Sequence, residues 1–306
     1  MKISIIGAGN VGALSAMRIA ELRLGNVVLV DIAKGIAQGK ALDLDDARSI
    51  LKINYALEGS TDINCIESSD IVVITAGLAR RPGQSREELL AKNASILKEI
   101  CLSVKKLAPE SIVVVVTNPL DLMAYLALKV TGFPKNKIIG MGVSLDASRF
   151  ANLISQELNL SPADIEPVVI GAHGQGMIPL PRHTKVKGVS LGELLSRDKI
   201  DNLVKKTLNR GAEIVSCLGS ASAFFAPSAA VAELVKAIAR DEKKILGACV
   251  YLCGEYGIQD ICIGVPVRLG KDGIEEIIEL ELSDSEMQEL LNSAGAIQNL
   301  LKQFVF

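Results

Sequence analysis

The stretch Gly7-Ala8-Gly9-Asn10-Val11-Gly12 constrains the fold more than any other part of this chain. It follows a short apolar run, Lys2 to Ile6, that reads as a buried strand, and it leads into Val11, Leu14, Ile19 and Leu22 at helix-compatible spacing. The glycines therefore fall at a strand-to-helix turn. Two of them allow a tight turn and close backbone approach to a pyrophosphate, while the third lets the helix pack on the strand; the helix N-terminus attracts phosphate charge. Taken alone the motif is a weak signal, but a second apolar strand, Val27 to Val30, ends in Asp31, 19 positions beyond Gly12. A carboxylate there can accept both ribose hydroxyl protons and would repel a 2′-phosphate, so the expected cofactor is NAD rather than NADP.

Beyond Asp31 the pattern alternates strand and helix. Ile71 to Thr75 and Ile112 to Val116 are continuous apolar runs of the kind found in strands covered on both faces. Between them Leu90, Ile96, Leu97, Ile100, Cys101, Val104 and Leu107 mark one face of a helix that stops before Pro109. The expected class is α/β: a doubly wound parallel Rossmann sheet over residues 1–142, followed by a mixed α+β substrate domain over 143–306. In that second half, strands are expected near 165–170, 246–252 and 261–269. Helices are expected near 198–218 and 227–239 and from Ser283 onward.

With 49% hydrophobic and 22% charged residues in 306, the chain can bury a large core. A formal net charge of -2 without a basic face argues against a nucleic-acid partner. The most apolar stretch, Ile112 to Val130, is broken by Asn118, Pro119 and Asp121, so no membrane span is expected. Six scattered cysteines with no zinc-like spacing read as buried free thiols, with no metal site and a cytoplasmic location.

The chemistry-bearing residues gather at expected strand ends. Gly77 to Arg86 holds two glycines, Gly77 and Gly83, with Arg80, Arg81 and Arg86, and reads as a positively charged lid over the ligand edge of the sheet. Asn118 follows another strand, where its amide can meet substrate or nicotinamide. Ser144 is expected to cap a helix on which Asp146 and Arg149, three apart, share a face. His173, in Gly171-Ala172-His173-Gly174-Gln175-Gly176, follows the extended run Pro167 to Ile170. An imidazole flanked by glycines leaves room for substrate and suits proton transfer near neutrality. The other histidine, His183, has no such company and reads as structural.

Taken in order, these motifs resemble the lactate/malate dehydrogenase family over essentially the whole length. The phrases Arg81-Pro82-Gly83, Ile178-Pro179-Leu180-Pro181-Arg182 and Phe225-Ala226-Pro227 are most similar to its lactate-dehydrogenase-like malate branch. The resemblance implies reversible hydride transfer between (S)-malate and NAD. It assigns proton transfer to His173, its carboxylate partner to Asp146, the grip on the C1 carboxylate to Arg149 and polarisation of the carbonyl to Arg86. Arg80 falls where malate-specific members carry arginine and lactate-specific members glutamine. Cofactor contacts are implied for Gly7, Gly9, Asn10, Val11, Gly12, Asp31, Thr75, Ala76, Gly77, Asn93, Val116 and Asn118; substrate contacts for Arg80, Arg86, Asn118 and Arg149. A homotetramer is implied, with a homodimer as the other option. Two residues depart from the family pattern: Gln175 where an acid is usual, and Ala221 where malate enzymes usually have glycine. Other readings are a lactate or other 2-hydroxy acid dehydrogenase, or a non-catalytic NAD-binding sensor or scaffold.

Overall fold

A computed structural model describes residues 1–78, 86–219 and 221–303; the side chains of Arg86 and Glu87 fall outside that description. The first half builds β1 (Lys2–Ile6), α1 (Asn10–Glu21), β2 (Asn26–Val30), α2 (Ile36–Leu51), β3 (Leu57–Ser60) and β4 (Ile71–Ile74). It continues with α3 (Arg86–Leu107), β5 (Ile112–Val115), α4 (Leu120–Thr131) and β6 (Ile138–Gly140). Every strand pair here is parallel, in the order β3-β2-β1-β4-β5-β6. All of Ile71–Ile74 and Ile112–Val115 is buried, as β-branched strands sandwiched between helix layers must be. From β1 the chain winds one way to β2 and β3 and the other way to β4, β5 and β6. That reversal opens a crevice at the carboxyl ends of β1 and β4, and the fold is the doubly wound Rossmann arrangement expected.

The second half supplies α5 (Val143–Leu158), β7 (Ile165–Glu166), β8 (Val169–Gly171), β9 (Met177–Pro179), β10 (Lys185–Val186), β11 (Val189–Ser190) and α6 (Leu191–Leu194). After these come α7 (Arg197–Leu218), α8 (Phe225–Ala239), β12 (Lys244–Cys253), β13 (Gln259–Gly270), β14 (Gly273–Ile277) and α9 (Asp284–Gln303). Its pairings are antiparallel. Cys249 on β12 pairs with Gly140 on β6, so the described residues form one eleven-stranded sheet that continues β6-β12-β13-β8-β9. A Cβ on Gly140 would lie 2.8 Å from that of Cys249, so the join closes on a glycine. The main core runs the length of this sheet, while Phe150, Ile154, Val169, Met177, Leu191 and Leu203 form a second core beneath α5 and α7. No helix among the described residues is long and apolar enough to cross a membrane.

Three local expectations are corrected. The buried face of α1 is Gly12, Ser15, Ala16, Ile19 and Ala20 rather than the stripe Val11, Leu14, Ile19 and Leu22. Small residues face inward because α1 packs closely on α8 as well as on the sheet. The strand expected over 165–170 is two strands, β7 and β8, separated at Pro167, which has no N–H to extend a ladder. Helix α5 begins at Val143 with Gly142 as its cap, and the buried Ser144 hydroxyl has no partner among the described residues. A side chain at the cap position has no room: a Cβ on Gly142 would lie 2.4 Å from Leu120 and 3.0 Å from His173.

Candidate active site

The glycine turn is built around backbone contact. A Cβ on Gly12 would lie 1.9 Å from the Gly7 carbonyl oxygen, and one on Gly7 would lie 2.6 Å from the Ala76 nitrogen. These two glycines let α1 and the end of β4 close on β1. Gly9 is exposed and its Cβ would meet nothing within 4 Å, so free space lies at the second glycine, where a pyrophosphate would approach. Asn10, exposed, and Val11, half-buried, open α1 beside it. At the end of β2 the Asp31 carboxylate accepts N–H bonds from Ala8 at 2.7 Å and Ala33 at 2.9 Å, which holds it against the turn. Lys40 of α2 donates to the Ala8 carbonyl at 2.6 Å, so the peptides on both sides of Ala8 are held. The cradle and the carboxylate beside it fit a dinucleotide.

The β4 and β5 ends are stapled together beside this turn. Thr75 Oγ1 donates to the Gly7 carbonyl at 2.9 Å, and Thr117 Oγ1 to the Ala76 carbonyl at 2.7 Å. Gly77 is exposed, and a Cβ there would lie 2.8 Å from Thr117 Cγ2. Asn93, buried on α3, accepts the Leu78 N–H at 2.8 Å and donates to the Asn118 carbonyl at 3.0 Å. Its amide is thus engaged with backbone, and Asn93 positions the loops that follow both strands. Val116 is half-buried; Asn118 is exposed and joined to Pro119 by a cis peptide bond.

His173 sits two residues beyond β8. Its Nδ1 lies 2.8 Å from Asp146 Oδ2, and Asp146 Oδ1 accepts from Arg149 at 3.1 Å. The side chains of Asp146, Arg149 and His173 are 0%, 12% and 16% exposed. One fully buried carboxylate therefore joins an imidazole to a guanidinium. Nε of Arg149 is buried without a partner among the described residues, and the guanidinium lies against Gly211 of α7, where a Cβ would be 3.5 Å from it. Burial by itself disfavours the imidazolium of His173. The hydrogen bond and charge of Asp146, aided by Asp121, outweigh burial and the opposing Arg149 charge, so the His173 pKa is raised.

Asp146 and Arg149 share a helix face as their spacing predicts, and the structure brings His173 to the same point. Two further residues, not singled out from sequence, hold the His173 loop. Asp121, in the first turn of α4, accepts the His173 backbone N–H at 3.0 Å. Ser293 of α9 accepts the Ala172 N–H and donates to the Gly176 carbonyl, both at 2.9 Å. An acid inside the most apolar stretch of the sequence was a usable signal for Asp121, since a buried carboxylate needs partners. Ser293 had none. Gln175 is exposed, and His183 is half-buried in a short turn after β9. Arg80 and most of the proposed lid, residues 79–85, lie outside the described residues, as does the Arg86 side chain. Among the described residues no cluster of His, Cys, Asp or Glu is arranged to hold a metal.

Comparison with known proteins agrees with this geometry. Residues 1–140 match the model of the lactate/malate dehydrogenase NAD binding domain, and residues 143–305 match that of the lactate/malate dehydrogenase alpha/beta C-terminal domain. A malate dehydrogenase of Methanosarcina barkeri is 49% identical over 99% of this chain and 98% of its own. The malate dehydrogenase structure from Salinibacter ruber is 42% identical, with a TM-score of 0.94 over 99% of this chain and 97% of that one. A Cryptosporidium parvum lactate dehydrogenase, solved with lactic acid and NAD, is 37% identical with a TM-score of 0.94 over 99% and 98% of the two chains. The chain belongs to the lactate/malate dehydrogenase family.

Proposed function

We propose that this protein is an NAD-dependent malate dehydrogenase that interconverts (S)-malate and oxaloacetate. The observation that carries the reading is the buried His173–Asp146–Arg149 chain, in a protein 49% identical to a malate dehydrogenase over nearly its full length. Bound NAD supplies the two-electron exchange with C2 of the substrate. Asp146 keeps the Nδ1 proton of His173 in place, which leaves Nε2 to give a proton to the oxaloacetate carbonyl or take one from the malate hydroxyl. Arg149, with Nε unpartnered among the described residues and one N–H anchored on Asp146, grips the C1 carboxylate in a geometry lysine cannot copy. Arg86 stabilises charge on the reacting oxygen, Arg80 pairs with the C4 carboxylate, and Asn118 orients substrate and nicotinamide. The glycine turn and residues Asn10, Val11, Thr75, Ala76, Gly77 and Val116 line the cofactor, Asp31 takes the ribose hydroxyls, and Asn93 fixes the loops around it.

A second reading, lactate dehydrogenase, draws on the likeness to the Cryptosporidium enzyme. Arg80 favours the dicarboxylate, because the smaller substrate offers it no second charge. Comparing kcat/KM for oxaloacetate, pyruvate and other 2-oxo acids with NADH tests the assignment: oxaloacetate should be preferred at least about tenfold, the worth of a modest charge contact. A preference for pyruvate would reject it.

Division into a dinucleotide domain over residues 1–142 and a substrate domain over 143–306 belongs to the same proposal, supported by the ranges of the two family matches. So does a cytoplasmic homotetramer, or a homodimer. Exposed apolar residues on and beside α2, among them Ile32 at 98%, Ile50 at 81% and Leu42 at 68%, support self-association, and free cysteines, of which Cys217 and Cys253 are exposed rather than buried as expected, fit a reducing compartment.

A further inference from the structure

Behind His173 lies a second acid that the reaction above does not use. Asp121 sits in the first turn of α4, and Oδ2 accepts the His173 backbone N–H at 3.0 Å. Oδ1 is buried and meets no nitrogen or hydroxyl donor among the described residues. Behind the carboxylate is the buried thiol of Cys249 on β12, which in turn contacts Cys262 on β13. Among the described residues, the ionisable groups that act on the His173 ring are Asp146 and Arg149 from α5 and Asp121 from α4, with Cys249 and Cys262 beyond Asp121.

We propose that Asp121 is a positioning residue for the proton-transferring imidazole: it fixes the His173 main chain through that N–H and sets a buried negative charge behind the ring. The assignment rests on His173 carrying the proton in the reaction proposed above. A backbone anchor alone needs only a neutral acceptor. An amide or a hydroxyl would serve at lower cost, because burying a carboxylate without a matched cation is unfavourable. The cost is visible at Asp121 itself. Burial pushes its carboxyl up to about 6, against the neighbouring Cys249 thiol, the charge of His173 and backbone N–H groups that favour the anion. Burial also pushes the Cys249 thiol well above its usual range, so that group stays neutral beside the acid. Above about pH 6 Asp121 is therefore mainly anionic, and its charge favours the imidazolium together with Asp146. As pH falls through that range the support is withdrawn, which couples the two titrations.

Asp121→Asn separates the two roles, because the amide oxygen can still accept the His173 N–H while the charge is gone. The chain holds only two histidines, so NMR of the protein labelled at histidine, with His173→Asn for assignment, reads the His173 titration without any turnover. Asp121→Asn should lower the His173 midpoint by about half a pH unit or more while NADH affinity is retained. The pH profile of oxaloacetate reduction should move the same way. If Asp121→Asn fails to fold, Cys249→Ala provides the second test: without the polar thiol beside it Asp121 ionises less readily, and the His173 midpoint should fall by a smaller amount. A His173 midpoint unchanged in the variants that fold would overturn the assignment, leaving Asp121 a backbone anchor. The outcomes separate from those of the proposed function: a shifted midpoint in a protein inactive on oxaloacetate rejects the reaction alone. An unshifted midpoint in an active enzyme rejects the role of Asp121 alone.

Discussion

Gly9 and Gly12, three residues apart, should fail in opposite ways when each is changed to alanine. At Gly12 the new methyl would lie 1.9 Å from the Gly7 carbonyl oxygen and 2.7 Å from Thr75 Oγ1. An ordinary C···O contact is about 3.3 Å, so α1 would have to withdraw by roughly 1.4 Å from β1. Overpacking against backbone costs about 3 kcal/mol or more, which lowers the melting temperature by roughly 5–10 °C in a chain of this size. At Gly9 the backbone is already in a region open to any residue, with φ -66° and ψ -169°, and the methyl meets nothing. Gly9→Ala should therefore fold as well as the parent, or gain about 0.4–1 kcal/mol from a less flexible unfolded chain. The same methyl fills the space left for the pyrophosphate, at a cost of about 1–3 kcal/mol in binding, or about fivefold to a hundredfold in NADH affinity. Thermal scans and NADH fluorescence titrations of both variants separate the effects. Normal NADH affinity in Gly9→Ala, or parental stability in Gly12→Ala, would refute this account of the turn.

Asp31→Asn keeps an acceptor for the Ala8 N–H but removes the charge, so the preference for NADH over NADPH in kcat/KM should shrink at least about tenfold. Equal use of the two cofactors by the parent would reject the role of Asp31. Arg80→Gln should depress kcat/KM for oxaloacetate by at least about tenfold, from a desolvated charge pair of about 2–5 kcal/mol, and leave pyruvate little changed. Arg81→Gln should cost less. Parallel loss on both substrates would make Arg80 a general contact rather than a selector.

The central strands of the parallel half were legible because runs such as Ile71–Ile74 are apolar throughout and the first glycine turn has a steric reason that sequence carries, whereas β3, Leu57-Glu58-Gly59-Ser60 and only half-buried, carries no such pattern. Asp31 and the Asp146–Arg149 pair were legible from spacing alone. The face of α1 was not, because packing on α8, more than two hundred residues away, decides that Ser15 and Ala16 point inward. Helix α5 starts two residues earlier than a Ser144 cap implies, and its cap is a glycine because Leu120 and His173, both distant in sequence, occupy the space a side chain there would need. Asp121 and Ser293 act on His173 through backbone groups, and backbone hydrogen bonds across long separations leave no pattern in a single sequence. Hydropathy marked Asp121 only as an interruption.

The central claim is that His173, oriented by Asp146, moves the proton in both directions, and the pH profiles of the two directions test it most directly. The folded-state pKa is raised above the ordinary 6.5, so the imidazolium persists to higher pH than in a free chain and is lost as pH rises through that elevated value. Oxaloacetate reduction should decline through this midpoint and malate oxidation should rise through it. His173→Asn should abolish both while still binding NADH. Turnover near the parental rate in His173→Asn, or two directions that change with pH in the same sense, would contradict the account.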